Sequence, residues 1–292
     1  MDNPPLAGFL LGERRITMME KLVQLHDLLR QLEVMEAKSN VRFVRDIATL
    51  HGTLPIVEPV GDAAWILHDN GPIGPFRGLL GDAHPDRLGG KAIQAMLKRL
   101  RELEDAQILI NPDVNGSLAT YAFAEGWTVG EIHLAYLFDL KENKKLPAKP
   151  EGIRIVPESE VDHEAMLAAA ARCHLGLDRA ARDEDLRIGR AFAMNPEMHT
   201  FVALIDGNMA GTALVHGEGE IVSLRGACTA PIYRRRGIQQ ALILHRLEWA
   251  REQGYRYAFL GSPLGGTTAR NAERLGFHFA GTRIFLEKPK EV

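Results

Sequence analysis

Apolar side chains in the second half of the chain recur with two different periods. Between residues 238 and 253 they follow one face of a helix, at Ile238, Leu242, Leu244, Leu247, Trp249 and Ala250. Gly254 follows directly, and glycine is common just beyond the end of a helix. Residues 200–216 instead form two β-rich runs on either side of Asp206-Gly207, which predicts a β-hairpin.

The other segments of this half alternate between strand-like and helix-like patterns. Runs rich in β-branched and aromatic residues predict strands at 153–157, 220–229, 256–261 and 277–288. Helical spacing predicts helices at 160–177 and 267–275, and a further helix or turn that ends at Pro196. Because strands and helices interleave around a hairpin, the sequence predicts a mixed α/β fold.

The first half repeats this order weakly. Residues 117–140 and 267–289 each contain a short helical pattern, a glycine followed by an aromatic residue, and a long strand pattern. Residues 84–112 and 230–263 share the order turn, glycine, helix and strand. We interpret the repeat as a tandem duplication, with chance similarity between two α/β halves as the alternative.

The boundary between the halves is expected in a charged segment at 139–152. This segment contains two prolines and has no apolar period, which is typical of an exposed linker. We therefore predict an accessory α/β domain at 1–140, a linker at 141–152 and a second domain at 153–292. An apolar stripe at 18–38 predicts a helix that packs against the core.

Composition limits the classes of function. The 292 residues have a formal net charge of −3, so no overall basic field favours nucleic acid or a membrane surface. Cys173 and Cys228 are the two cysteines, and their spacing suggests neither a disulfide framework nor a metal site, which predicts an intracellular, cytoplasmic protein with reduced thiols. Residues 1–15 have no basic segment before their short apolar run, so we predict neither a signal peptide nor a membrane helix.

Three arginines and a glycine precede the helix predicted at 238–253. The free backbone N–H groups and the dipole at a helix N-terminus attract phosphate, and Arg234–Gly237 would add charge and a close backbone approach. The glycine spacings of the nucleotide P-loop and of the dinucleotide-binding turn are absent. The turn alone predicts either a phosphate site or a solvated surface turn.

With its neighbours, this turn resembles the cofactor-binding motif of the GNAT family of acyl-CoA N-acyltransferases. The resemblance covers about residues 153–288 and also includes the ending "AERLGF" at 272–277. Gln239 departs from the motif, because the family usually has a small residue there. The resemblance implies twisted mixed sheets flanked by helices, in two tandem domains. The first would be degenerate, because its counterpart of the motif, Arg87–Lys91, has poor spacing.

The resemblance also implies acetyl-CoA as the cofactor and assigns residues to its binding. The expected cofactor-binding residues are Ala227, Cys228, Thr229, Arg234, Arg235, Arg236, Gly237, Ile238, Gln239, Gln240 and Asn271. In the family, a backbone N–H beside the thioester stabilises the oxyanion while the amine attacks directly in a ternary complex.

The acid and base of the reaction are not evident from the sequence. Ala272 stands where many members have a tyrosine acid, and Ser223 stands where some have a glutamate base. Ser223, Ser262 and Asn271 are therefore weak catalytic candidates, with a water-mediated base or a group from the first domain as alternatives. Cys228 has no histidine partner evident from the sequence, which favours a small buried strand residue over a nucleophile.

Two functions follow from the resemblance. The first is an N-acetyltransferase acting on a small-molecule or peptide amine, without a metal. The alternative is a non-catalytic sensor or scaffold that binds CoA or acyl-CoA, because the usual tyrosine and glutamate are missing. Nucleic acid binding through the arginine cluster is disfavoured by the net charge. Homo-oligomerisation is left open.

Overall fold

The computed structural model describes residues 18–68, 77–143 and 145–289, so the N-terminal stretch 1–15 discussed above lies outside the described residues. In the first half the elements are α1 (Met18–His51), β1 (Ile56–Val60), β2 (Ala64–His68), β3 (Gly78–Gly81), α2 (Pro85–Leu88), α3 (Gly90–Glu102), β4 (Gln107–Ile110), α4 (Leu118–Ala124) and β5 (Thr128–Asp139). In the second half they are β6 (Arg154–Pro157), α5 (His163–Leu175), α6 (Asp183–Met194), β7 (Met198–Ile205), β8 (Asn208–Glu218), β9 (Ile221–Thr229), α7 (Ile238–Glu252), β10 (Tyr257–Pro263), α8 (Thr267–Arg274) and β11 (His278–Glu287).

Within the described residues, eleven strands form one mixed sheet in the order β1-β2-β3-β4-β11-β5-β10-β9-β8-β7-β6. The parallel pairs are β3 with β4 and β9 with β10, and the other neighbours run antiparallel. The mixed α/β class predicted from the sequence is confirmed.

The two halves exchange their last strands at the centre of this sheet. β5 belongs to the first half in sequence but lies between β10 and β11. β11 belongs to the second half but lies between β4 and β5. Because the strands of the two halves alternate here, the sheet is continuous. The strand periodicity within either half does not show that this exchange occurs.

Helices cover both faces of the sheet. On β10, Phe259 packs with the leucines of α1, whereas the adjacent Leu260 packs with α7. α5 and α6 lie on the same face as α1, while α3, α4 and α8 lie on the face of α7. We call these the α1 face and the α7 face.

Helix α1 is longer than the predicted 18–38 and continues to His51. Its buried residues include Leu28, Leu29 and Leu32, and each such burial contributes about 1.5–3 kcal/mol relative to exposure. The predicted packing of this helix against the core is confirmed. None of the helices in the described part of the chain is long and apolar enough to cross a membrane.

Local capping explains why the helices of the second half begin and end where they do. The Asp162 carboxylate accepts a hydrogen bond from the backbone N–H of Ala165 at 2.7 Å and starts α5. α7 ends as predicted, with Gly254 just beyond its C-cap in the left-handed region at φ +85°. The predicted hairpin is the pair β7 and β8, with its turn at Asp206-Gly207.

Candidate active site

Strands β9 and β10 pair over only half of their length. The pairing runs from Ile221 opposite Tyr257 to Leu224 opposite Leu260, and the strands diverge beyond this point. On its other edge β9 bulges against β8, because the register shifts between Thr212 and Leu214.

A fully buried arginine holds this bulge in place. The Arg246 guanidinium donates hydrogen bonds to the carbonyls of Leu214 at 2.8 Å and Arg225 at 3.2 Å. Gly226 lies at the bulge with φ +51°, and a Cβ there would lie 2.7 Å from the Leu214 side chain. Burial lowers the pKa of Arg246 to about 9.

The gap between the diverging strands is a cleft of about 550 Å³ that passes through the sheet. Gln239, Ile243, Arg246 and Thr268 line it from the α7 face, and Glu36, His174, Arg225 and Arg283 line it from the α1 face. A ligand entering from one face can therefore meet a ligand entering from the other.

The predicted phosphate turn leads into α7, whose Gln239 lines the cleft. Arg235 and Gly237 have positive φ values of 64° and 82°, and Gly237 is the N-cap of α7 with no side-chain cap. The three arginine side chains are exposed, and Arg236 lies over the Tyr233 ring, 5.7 Å from its centroid. An uncapped helix N-terminus beside exposed guanidinium groups fits a pyrophosphate group.

Gln239 and Asn271 bridge the first turn of α7 to α8. The Asn271 amide donates to Gln239 Oε1 at 2.6 Å, and the Gln239 amide donates to the Thr268 hydroxyl at 2.7 Å. The bulk of Gln239 is thus accommodated by a lateral contact with α8. Gln240 lies beside it on α7, half-buried.

The two serine candidates occupy different environments. Ser223 donates to Glu36 Oε1 at 2.6 Å and lines the cleft. Ser262 is fully buried and donates to the Pro263 carbonyl at 3.1 Å, and it does not line the cleft.

Glu36, which was not among the residues expected from the sequence, lines the cleft from α1. Burial alone would raise its pKa, but Arg283, Arg225 and the hydrogen bonds from Ser223 and Arg283 lower the pKa to about 2. Glu36 is therefore ionised and a weak base. The signal in the sequence was a pair of carboxylates, Glu33 and Glu36, within the apolar stripe of a helix.

The first half also contributes a histidine that sequence analysis missed. His133 of β5 lies opposite Pro263 of β10 and Arg283 of β11, and it lines the cleft. Its Nε2 lies 3.0 Å from Glu131 Oε2. Recruitment of a group from the first half was one of the alternatives left open by the sequence.

Cys228, the Cys173–His174 pair and Thr212 form a polar cluster at the edge of the cleft. The Thr212 hydroxyl lies 3.3 Å from the Cys228 sulfur. The hydrogen bond from Cys173, with those from His174 and Thr212, outweighs burial and holds the pKa of Cys228 well below its usual range. No histidine partner for Cys228 was evident from the sequence, and α5 places His174 in this region, where it lines the same cavity as Thr212.

Comparison with known proteins agrees with this geometry. Residues 164–277 match the model of the acetyltransferase (GNAT) family. This part of the chain is therefore similar to a GNAT acetyltransferase domain. A search of curated proteins found no match to the sequence.

Solved structures extend the similarity of fold to most of the chain. A GCN5-related N-acetyltransferase from Kribbella flavida is 16% identical, with a TM-score of 0.59, over 87% of this chain and 96% of that one. A tandem GNAT protein from the clavulanic acid biosynthesis pathway is 18% identical, with a TM-score of 0.54, over 92% of this chain and 97% of that one. The chain thus has the GNAT fold in tandem, as the sequence predicted.

Proposed function

We propose that this GNAT protein is an acetyl-CoA-dependent N-acetyltransferase that joins its two substrates within the cleft between β9 and β10. The observation that carries the proposal is the position of the cleft, which opens through the sheet beside Gln239 in the first turn of α7, shortly after the Arg234–Gly237 turn. Membership of the GNAT family supports acyl-CoA-dependent N-acyl transfer in general. The choice of acetyl-CoA and of an amine acceptor belongs to the proposal.

On the α7 face, the cofactor pyrophosphate would bind the backbone N–H groups of Ile238, Gln239 and Gln240, with the arginines around it. The pantetheine arm would follow Ala227, Cys228 and Thr229, where β9 has left β10 and its backbone on that edge has no strand partner. The thioester would then lie near the point of divergence, where a backbone N–H of β9 stabilises the oxyanion.

On the α1 face, the acceptor would bind in a neighbouring cavity of about 290 Å³. Its walls are mostly apolar and include Met166, Leu167, Ile188 and Phe192 of α5 and α6. His174 and Gly226 line both this cavity and the cleft. We therefore propose an acceptor amine that carries a small apolar group.

His133 is the base that this arrangement favours. It lines the cleft and faces the α1 side, and the Glu131 carboxylate can stabilise its imidazolium after it takes the amine proton. Glu36 is less suitable because its ion pairs lower its pKa to about 2. A His133→Gln variant should lose most of kcat at neutral pH while keeping its affinity for acetyl-CoA. If His174→Gln lost kcat instead and His133→Gln did not, the assignment of the base would be wrong.

Thermal melting with acetyl-CoA and CoA tests the cofactor assignment first. A ligand at one hundred times its dissociation constant stabilises a protein by about 2.7 kcal/mol, so a clear rise in Tm is expected. A panel of amines with graded apolar groups then tests turnover. No shift with any acyl-CoA would overturn the cofactor assignment. A shift without turnover of any amine would favour the non-catalytic sensor.

A further inference from the structure

The cleft between β9 and β10 is lined by more positive than negative groups. Arg225 and Arg283 line its wall on the α1 face together with Glu36, and Arg246 lines it from the α7 face. Among the described residues, three guanidinium groups and one carboxylate therefore line one cleft. Because charges of one sign are costly in a partly desolvated space, an anionic group of a ligand would be stabilised there.

Arg225 differs from Arg283 in its partners on α1. Arg283 donates hydrogen bonds to two carboxylates of this helix, Glu33 at 2.7 Å and Glu36 at 2.8 Å. Arg225 donates to the neutral side-chain oxygen of Asn40 at 3.1 Å. Burial lowers the pKa of Arg225, and the opposing effect of Glu36 is smaller. A carboxylate beside Arg225 would therefore balance its charge further.

Arg225 also stands where the cleft meets the apolar cavity of α5 and α6. In the register of β8 and β9 it lies opposite Leu214, which lines that cavity, and the next residue, Gly226, lines both spaces. Residues directly opposite each other in an antiparallel pair place their side chains on the same face of the sheet. A ligand whose apolar group fills the cavity would thus place its polar end beside Arg225.

Glu36 supplies the complementary charge on the same wall of the cleft. Its Oε1 accepts a hydrogen bond from Ser223 at 2.6 Å and its Oε2 accepts one from Arg283, and each carboxylate oxygen can accept a second. Because its pKa is lowered to about 2, Glu36 is ionised at neutral pH. A guanidinium and a carboxylate on one wall match a ligand that carries an ammonium and a carboxylate.

We propose that the acceptor is an α-amino acid with an apolar side chain, whose carboxylate binds Arg225 and whose ammonium group binds beside Glu36. This inference rests on the proposed function, since it names the substrate class of the same site. The ammonium group first loses a proton to solvent, the nitrogen then bonds to the acetyl carbon, and the carbon–sulfur bond breaks. His133 takes the proton that the nitrogen loses, and the CoA thiolate then takes up that proton. The products are an N-acetylamino acid and CoA.

Calorimetry on the full-length protein in the presence of CoA tests the recognition of the carboxylate with matched ligands. The pairs are leucine and leucinol, methionine and methioninol, and phenylalanine and phenylalaninol. Each amino alcohol keeps the amine and the apolar side chain and replaces the carboxylate by a neutral hydroxymethyl group. We expect at least one amino acid to bind about tenfold more tightly than its alcohol, or more, because it adds a charge-assisted hydrogen bond. Equal affinity within every pair, or no binding of any amino acid, would overturn the inference.

Turnover with acetyl-CoA separates this inference from the transfer itself. Acetylation of the amino alcohols as fast as of the amino acids would overturn the assignment of an amino acid and leave N-acetyl transfer intact. Absence of acetylation of every compound would count against the transfer, while the affinities within each pair would still decide whether the carboxylate is recognised.

Two variants separate recognition of the charge from packing against α1. Arg225→Gln removes the guanidinium, so the ratio of affinities within a pair should fall to about one, while the affinity for acetyl-CoA is unchanged. Asn40→Ala removes the contact of Arg225 with α1 but keeps the guanidinium, so the ratio should remain about tenfold or more. A ratio that survives in Arg225→Gln, or that is lost equally in Asn40→Ala, would overturn the role of Arg225.

Discussion

Both halves contain a pair of parallel strands, β3 with β4 and β9 with β10, that stop pairing part-way along their length. In the second half the gap beyond the paired residues is a cleft, whereas in the first half a side chain fills it. In the first half, β3 pairs with β4 at Gly78–Gln107 and Leu79–Ile108 only. Beyond these pairs, the buried Asn115 amide donates to the carbonyls of both Gly81 and Leu109 at 3.3 Å. The side chain fills the gap that corresponds to the cleft between β9 and β10. In the first half, the Asn115 side chain thus bridges the two strands where their pairing ends.

The turns before α3 and α7 also differ, because the arginine of the first turn is paired within the protein and those of the second are exposed. In the first half, Arg87 and Arg30 both contact the Asp82 carboxylate, whose side chain is fully buried. In the second half, Arg234, Arg235 and Arg236 are exposed. Because an arginine neutralised by an internal carboxylate has little left to offer an external anion, we expect only the second turn to bind pyrophosphate. An arginine near a helix start is therefore informative only when its partners are known.

Separating the two halves of the chain should have the largest effect on stability. A fragment of residues 153–292 lacks β5, which joins β10 to β11 and contributes Tyr136 and Phe138 to the core, and it also lacks the core residue Leu140 just after β5. We expect no cooperative thermal transition from this fragment alone, and recovery when residues 1–152 are co-expressed. A fragment that folds alone and binds acetyl-CoA would show that the exchanged strands are dispensable.

Filling the cleft should come next. A Cβ at Gly261 on β10 meets no atom within 4 Å, so the backbone has room for a side chain there, and Gly261→Leu should place one in the cleft. We expect kcat/KM to fall by a factor on the order of 10², because the acceptor and thioester can no longer approach.

The matched control for this change is Gly90→Leu in the first half, which also has open space around its Cβ. Gly90 lies at the first-half turn, so its substitution should leave turnover unchanged. Equal losses in both variants, or none in Gly261→Leu, would argue against transfer in this cleft.

Neutralising the arginines tests the difference between the turns. Arg234→Gln and Arg236→Gln should each weaken acetyl-CoA binding by about 10-fold or more, since a charge-assisted hydrogen bond is worth roughly 1.5–3 kcal/mol. Their melting temperatures without ligand should not change. Arg87→Gln should show the reverse, with a lower melting temperature and unchanged affinity by calorimetry. A loss of affinity in Arg87→Gln would mean that the first-half turn takes part in binding.

Removing the Asn115 side chain, which bridges β3 and β4, should have a smaller effect, and this effect is on stability. Asn115→Ala leaves the carbonyls of Gly81 and Leu109 and the backbone N–H of Asn111 without this partner. We expect a loss of about 2–3 kcal/mol in the free energy of unfolding, measured in urea. Asn208→Ala, in the exposed hairpin turn, is the control and should cost little. A neutral Asn115→Ala would show that the gap is closed by other groups.

Local patterns predicted most of the second half, because periodicity and turn residues act over short distances. The α7 helix, the Asp206-Gly207 hairpin and the arginine turn all follow from neighbouring residues. The exchange of β5 and β11 could not be predicted, because either strand would pair equally well within its own half. The contact of Ser223 with Glu36 and the position of His133 in the cleft were missed for the same reason, since packing between distant elements creates them.

The smallest effect should appear in the pH dependence of the contact between the halves at Glu36. Its pKa is lowered from 4.5 to about 2 in the folded protein, so its ion pairs stabilise the fold fully above about pH 5. As the pH falls through 4.5 towards 2, the unfolded chain takes up the proton first and this stabilisation is lost. Between pH 5 and pH 3, Glu36→Gln should reduce the fall in unfolding free energy by an amount on the order of 1 kcal/mol. Glu218→Gln, which breaks an exposed pair with Lys38, should leave the slope unchanged. Equal slopes in the wild type and Glu36→Gln would mean that this carboxylate does not hold the halves together.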